Sequence, residues 1–181
     1  ELAVSSAYAS GDDGNIPQNT LDNNLNTRWS NNGIGSWIEL DLGGIKTICS
    51  VNIAWYNVVR VNYFDISVSS DGINYTDVYT GESNTAYLPN PEPYDFENTS
   101  GRFVRITVNG NSMNAWASIT EIDVIGFDPI ASTEDINGLS AGSYFVTVTG
   151  SNGNTITGSA LVEYDAGNSA PVMSNQTFSI S

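Results

Sequence analysis

Apolar and polar residues alternate along this chain in short runs divided by Gly, Asn and Pro, the two-residue period of strands with one buried face. In WIELDLG, residues 37–43, Ile38, Leu40 and Leu42 oppose Trp37, Glu39 and Asp41. YFDISVSSDGINYTDVY, residues 63–79, sets Phe64, Ile66 and Val68 on one side, turns at Asp71-Gly72 and returns as a second strand. RFVRITVNG, residues 102–110, points Val104, Ile106 and Val108 inward and Phe103 and Arg105 outward, and SITEIDVIGF, residues 118–127, puts Ile122 and Val124 on the core side. In TICSVNIAW, residues 47–55, Cys49 is in phase with Val51, Ile53 and Trp55, which predicts a buried, inert thiol. No run carries the period of a long amphipathic helix. Residues 1–128 are therefore expected to form an all-β unit of short antiparallel strands in two packed sheets.

YLPNPEPYDFENTSG, residues 87–101, is rich in proline and reads as a rigid surface connection inside that unit. The pattern changes near Asp128-Pro129. Residues 129–167 read as a small β segment: Tyr144, Val146 and Val148 alternate with Phe145, Thr147 and Thr149, a turn is expected at Asn152-Gly153, and a further strand near Ala160 to Tyr164. It is too small to stand alone comfortably, and Ile125 and Phe127 are expected to offer it a landing surface. Residues 168–181 read as a linker and the opening strand of a following module. Glu1 reads as a processed or trimmed start, so the chain is expected to be a piece of a longer polypeptide.

The balance of 20 acidic against 5 basic residues, with no histidine, gives a formal charge of -15. Nucleic acid and anionic membranes require a positive surface, so both are expected not to be partners. One cysteine excludes an intrachain disulfide and a thiolate metal cluster. No stretch of about 20 apolar residues is present to span a membrane. The acidic surface suits an exported protein in a salty medium.

Without histidine or a reactive cysteine, the usual acyl-transfer bases are missing. Tyrosine and arginine still permit lyase chemistry in principle, but the loop-rich pattern points to binding rather than turnover. In NTLDNNLNTRWS, residues 19–30, Asp22, Asn24 and Thr27, with carbonyls such as that of Asn19, offer hard oxygens of the kind calcium takes; Asp22 and Thr27 serve equally well as turn caps. AWYNVVRVNYF, residues 54–64, presents Tyr56, Asn57 and Arg60 at a strand end, suited to stacking on a sugar and gripping hydroxyls or a uronate carboxylate; a salt bridge is the competing role for Arg60. Asn111 and Asn114 add amides or simply make a turn. Of the four tryptophans, Trp37 and Trp55 read as structural, Trp29 as a lid over one end of the core, and Trp116 as the exposed ligand contact.

NTLDNNLNTRWS, WIELDLGG, FDISVSSDGINYTDVY, GRFVRITVNGN and ITEIDVIG together resemble, in order and spacing, the discoidin or coagulation factor type C domain over residues 3–126. The resemblance is sharpest to the carbohydrate-binding modules of marine alginate lyases and related polysaccharide-degrading enzymes, through GNSMNAWASITEIDV. It implies an antiparallel β-sandwich jelly roll of eight strands, followed here by the small β-hairpin segment, a structural Ca2+ held by Asn19, Asp22, Asn24, Thr27 and Glu121, and a sugar surface built from loops. Residues 138–153 also resemble half of a bacterial adhesin repeat, and residues 170–181 the first strand of a cadherin-like module. The expectation is a secreted, monomeric, noncatalytic module that binds a polysaccharide such as alginate for a covalently attached lyase or glycoside hydrolase. An adhesion or spacer domain on a bacterial cell surface is the alternative.

Overall fold

The computed structural model describes residues 1–56, 59–84, 91–129, 141–149, 155–163 and 172–173. The chain divides into two compact units, Glu1–Ile130 and Ala131–Ser181. In the first, the strands are β1 (Ser6–Ala9), β2 (Trp29–Asn32), β3 (Ser36–Trp55), β4 (Asn62–Ser69), β5 (Thr76–Glu82), β6 (Glu92–Asn111) and β7 (Trp116–Phe127), with one 3-10 turn at Pro17–Thr20. The order is β2-β7-β3-β6-β4-β5, with β1 also paired to β3, and every pairing is antiparallel. This is an all-β antiparallel sandwich of the jelly-roll type.

The strands are longer and fewer than the sequence pattern predicts. WIELDLG and TICSVNIAW are two halves of one strand, the 20-residue β3, and β6 is equally long. Seven strands rather than eight are continuous among the described residues of this unit, because β3 and β6 shift register instead of breaking. One shift lies between Asp41 and Lys46, where Gly43 holds φ +75°, a left-handed conformation that favours glycine.

A second shift between Ile48 and Ser50 corrects the expectation for Cys49. The extra residue lets Ile48 and Val51 both face the core, which leaves Cys49 partly exposed with its thiol toward the Ile125 carbonyl. Residues 92–101 are likewise strand, not connection. Pro93 is tolerated there because it pairs only with Asn52 of β3, while β4 joins β6 from Phe103 onward.

Trp29, Ile38, Leu40, Phe64, Ile66, Val104, Ile106, Val108 and Ile119 are buried at 0–1% exposure, each such side chain contributing about 1.5–3 kcal/mol. Trp29 is thus core rather than lid, its indole N–H donating to the Gly11 carbonyl at 2.9 Å. Phe64 packs against Trp55, Tyr79 and Tyr94 with ring centroids 5.0, 5.5 and 4.7 Å away.

This aromatic cluster sets up one end of the sandwich. The Trp55 indole donates to the Tyr94 hydroxyl at 2.9 Å, and that hydroxyl donates to the buried Glu92 carboxylate at 2.7 Å. Burial, reinforced by that carboxylate, raises the Tyr94 phenol well above its ordinary range. A bulge opposite Ala54 and Trp55, stapled by the Thr120 hydroxyl to the Ala54 carbonyl at 2.9 Å, then ends β3 and delivers Tyr56 to the surface.

The second unit contains β8 (Gly142–Thr149) and β9 (Thr155–Glu163) as an antiparallel hairpin, with β10 (Val172–Met173) paired to β9. Its second arm begins at Thr155, earlier than the strand expected near residue 160. The expected turn at 152–153 lies outside the described residues.

Candidate functional site

The loops at the Tyr56 end enclose a cavity of about 280 Å³ lined by Asp13, Arg28, Ser30, Tyr56, Arg60, Asn114, Trp116 and Ser118. Pairing of β2 with β7 sets Ser30 opposite Ser118, their hydroxyls 3.0 Å apart, and Asn32 opposite Trp116, so that Arg28, just before β2, and Trp116 line the same cavity. The Arg28 guanidinium lies over the Tyr56 ring, 4.0 Å from its centroid, while its Nε donates to Ser30 Oγ at 2.8 Å. One face of Tyr56 is therefore covered by a cation and the arginine plane is fixed. Arg60 contributes a buried Nε that has no hydrogen-bond partner. Such an orphaned donor costs free energy unless a ligand or solvent satisfies it.

Asn111 and Asn114 form the tight turn before β7. Asn111 Oδ1 accepts from the backbone N–H of Met113 and Asn114 at 2.9 and 3.0 Å, and its Nδ2 donates to Asn114 Oδ1 and to the Trp116 carbonyl at 2.8 and 2.9 Å. Asn111 is thus a scaffold behind the cavity wall. Asn114 Oδ1 is spent on the turn, taking the Trp116 N–H at 3.1 Å as well, which leaves its amide N–H groups for the cavity.

Of the sequence-predicted contacts, the cavity gathers Tyr56, Arg60, Asn114 and Trp116, and Asn111 stands behind them. Asn57 lies outside the described residues. Arg28, Asp13, Ser30 and Ser118 were missed by sequence reasoning. Asp13 keeps its carboxyl below the ordinary carboxylate range, mainly through the Asn15 side chain and in smaller part through the charge of Arg28.

A census of the five cations gives the site its electrostatic character. Lys46 pairs with Asp128, Arg102 with Asp41 at 2.7 Å and Arg105 with Glu39 at 2.7 Å. Arg28 and Arg60 make no ion pair among the described residues, and both line this one cavity. A chain of charge -15 thus concentrates its unneutralised arginine at a single loop end, together with Trp116 and Tyr56.

The proposed metal residues meet elsewhere. Asn23 holds a left-handed conformation, φ 56°, which turns the Asn24 N–H toward both Asp22 Oδ1 at 3.0 Å and Glu121 Oε1 at 2.7 Å. The Thr27 hydroxyl sits 2.7 and 2.9 Å from the two Asp22 oxygens and 2.8 Å from the Asn24 carbonyl. Asn19 Nδ2 donates to the Arg28 carbonyl at 2.8 Å, which ties this loop to the start of β2. Burial pushes Glu121 up to about 7, with the neighbouring Asp22 and Asp123 charges adding to the rise, whereas the Thr27 hydroxyl lowers Asp22.

Two carboxylates drawn together across 99 residues, beside neutral oxygens, fit a hard cation. Among the described residues no group of three acidic, cysteine or histidine side chains converges, so an ion here would be held by Asp22, Glu121 and uncharged oxygens.

A β-sandwich with an open polar and aromatic loop cavity is a binding-module architecture, and its relatives are binding modules rather than catalytic domains. The chain belongs to the F5/8 type C domain family, whose model matches residues 2–122, and it is a carbohydrate-binding module of that family. The CBM32 of AlyQ, solved in complex with 4,5-unsaturated mannuronic acid, is 46% identical with a TM-score of 0.67 over 68% of this chain and 96% of that one. A truncated AlyQ with CBM32 and alginate lyase domains is 44% identical, TM-score 0.68, over 72% of this chain and 34% of that longer chain. A pectin-binding carbohydrate-binding module is 29% identical, TM-score 0.65, over 68% and 91% of the two chains. No curated protein matches the sequence.

Proposed function

We propose that this module binds an acidic, uronate-containing polysaccharide in the cavity between Arg28 and Arg60, and so holds an attached, secreted polysaccharide-degrading enzyme on its substrate. The observation that carries this reading is the convergence of the two unpaired arginines. Each offers a planar fork of donors that matches a carboxylate, and both side chains line the one cavity. Trp116 and the free face of Tyr56 supply apolar surface for the C–H side of a sugar ring, and Asp13 can accept from its hydroxyls. Relatives described with an unsaturated uronic acid and with pectin, one of them joined to alginate lyase domains, support the same ligand class and the covalent partner.

Affinity in the millimolar to micromolar range, about -4 to -8 kcal/mol, suits such a shallow site. Attachment converts this into a raised local concentration of enzyme at the polymer. Calcium is assigned a structural role at Asp22, Thr27 and Glu121 with the Asn19 carbonyl. When bound it supplies charge neutralisation for the paired carboxylates, while Asn24 orients Glu121 and Asn19 ties the loop to Arg28.

Calorimetric titration with an oligouronide and with a neutral oligosaccharide of the same length tests the reading. Preferential binding of the oligouronide, lost in Arg60→Ala, is the expected result. Equal binding of both, or no binding of either, refutes it.

A further inference from the structure

The first unit exposes four large apolar side chains above all others: Ile73 at 81%, Ile34 at 75%, Val59 at 72% and Met113 at 67%. Scattered exposed apolar residues are ordinary, but three of these four sit on neighbouring loops at the cavity end of the sandwich. Val59 precedes Arg60 and Met113 precedes Asn114, both of which line the cavity. Ile34 reaches the same turn: its Cγ1 lies 3.7 Å from where a Cβ on Gly110 would stand, and the nearest atom to that point is the Asn114 carbonyl at 3.2 Å. The three loops are stitched together by Ser112 N–H to the Val61 carbonyl at 2.8 Å and Gly33 N–H to the Ala115 carbonyl at 3.0 Å. The three loops, and with them this apolar rim, are therefore held together beside the arginine-lined cavity.

The C–H face of a bare uronide ring is already served by Trp116 and Tyr56, and its edges carry hydroxyls, so the rim offers apolar surface beyond what the unmodified ring uses. We propose that the rim takes a short acyl ester on a ring hydroxyl, so that the site prefers an O-acylated uronide. This rests on the uronide reading of the cavity. The two parts of the ligand are fixed by chemistry. The arginines need a free carboxylate, which excludes esterification at the carboxyl itself, while Ile34, Val59 and Met113 need an apolar group projecting sideways from the ring. A charge of -15 opposes both self-association and approach to anionic lipid, the other occupants of an apolar fringe.

The test titrates an O-acetylated oligouronide, and the same preparation after alkaline deacetylation, into the wild-type protein and an Ile34→Ser/Met113→Ser variant whose fold is checked by thermal melting. The wild type is expected to bind the acetylated form about fivefold tighter, from the apolar area removed from water. The variant is expected to lose that preference while binding the deacetylated form as before. Equal wild-type affinities, or a preference that survives in the variant, overturn the ester proposal and leave the uronide site standing. Failure of both forms to bind sinks the uronide reading and the ester with it. Met113-dependent dimerisation in sedimentation, or Met113-dependent binding to vesicles containing anionic phospholipid, also overturns it by assigning the rim to another occupant.

Discussion

Arginine serves opposite ends in two regions of this sandwich. On the outer sheet face, Arg105 lies over Trp37 and Tyr75, 4.5 and 3.8 Å from their centroids, and pairs with Glu39 through Nε and Nη2. The Tyr75 hydroxyl donates to the same Glu39 oxygen, and Arg102 grips Asp41 in a fork one row away. At the loop end, Arg28 is stacked and oriented but makes no ion pair among the described residues, the cavity's Asp13 being bonded to Asn15 instead, and Arg60 buries an Nε with no hydrogen-bond partner among them. Aromatic stacking is common to both regions, so it does not mark a binding site. What separates them is whether an ion pair among the described residues neutralises the arginine.

The largest effect should come from removing the unpaired cations. Arg60→Ala or Arg28→Ala is expected to weaken oligouronide binding by about tenfold to a hundredfold, the worth of a charge-assisted hydrogen bond, with little change in melting temperature. The mirror experiment is Arg105→Ala, which leaves Glu39 and Tyr75 without their cation and should cost about 1–3 kcal/mol in denaturant unfolding while leaving glycan affinity unchanged. A binding defect in Arg105→Ala, or a folding defect of that size in Arg28→Ala, would erase the distinction.

The loop proposed to hold calcium leads directly into Arg28. At a hundredfold excess over Kd a native-state ligand adds about 2.7 kcal/mol, so calcium should raise the melting temperature by several degrees and chelator should reverse it. Glu121→Gln should abolish that response. Because Asn19 anchors the Arg28 carbonyl, chelation is also expected to weaken oligouronide binding modestly, whereas the Arg105 cluster should be indifferent. A melting curve unmoved by either addition would remove the metal from the account.

The smallest effect is one of pH. Arg102 holds the Asp41 carboxyl below its ordinary value, helped by the Gly43 N–H. A carboxyl lowered in the folded state contributes stability that is complete above its unfolded value near 3.8 and is lost as pH falls through the folded value. Asp41→Asn should therefore show a shallower loss of stability below pH 4 than wild type, measured by urea midpoints across that range. Identical pH profiles would mean that Arg102 does no more than sit nearby.

Much of the fold was legible because two-residue alternation reports which face of a strand is buried. Ile38, Leu40, Phe64, Ile66, Val104 and Ile106 lie where that period puts them. The errors arise where the period is interrupted: the bulge at Cys49 flips its phase, and the prolines near residue 91 conceal an edge-facing strand segment. At the site, Arg60 stood out by rarity and Trp116 by its Asn-rich flank, although Trp116 proves to be the partly buried first residue of β7 rather than an exposed loop residue. Arg28 did not, since nothing local shows that β2 will pair with β7 and bring it to the cavity that Trp116 lines. A count of arginines lacking a nearby acidic partner cannot be made before the sheet register is known. The resemblance to a calcium-binding family pointed to Asp22 and Glu121 together, but the left-handed Asn23 that lets Asn24 bridge them is visible only in three dimensions.

The most direct measurement is a calorimetric titration of an oligouronide into wild type, Arg28→Ala, Arg60→Ala and the double variant at low and high salt. The account predicts micromolar to millimolar binding by wild type, weakened by salt, reduced in each single variant and undetectable in the double variant, all four proteins melting alike. Wild-type affinity retained by the double variant would contradict it, because the glycan would then be recognised without the two arginines that the fold leaves unpaired.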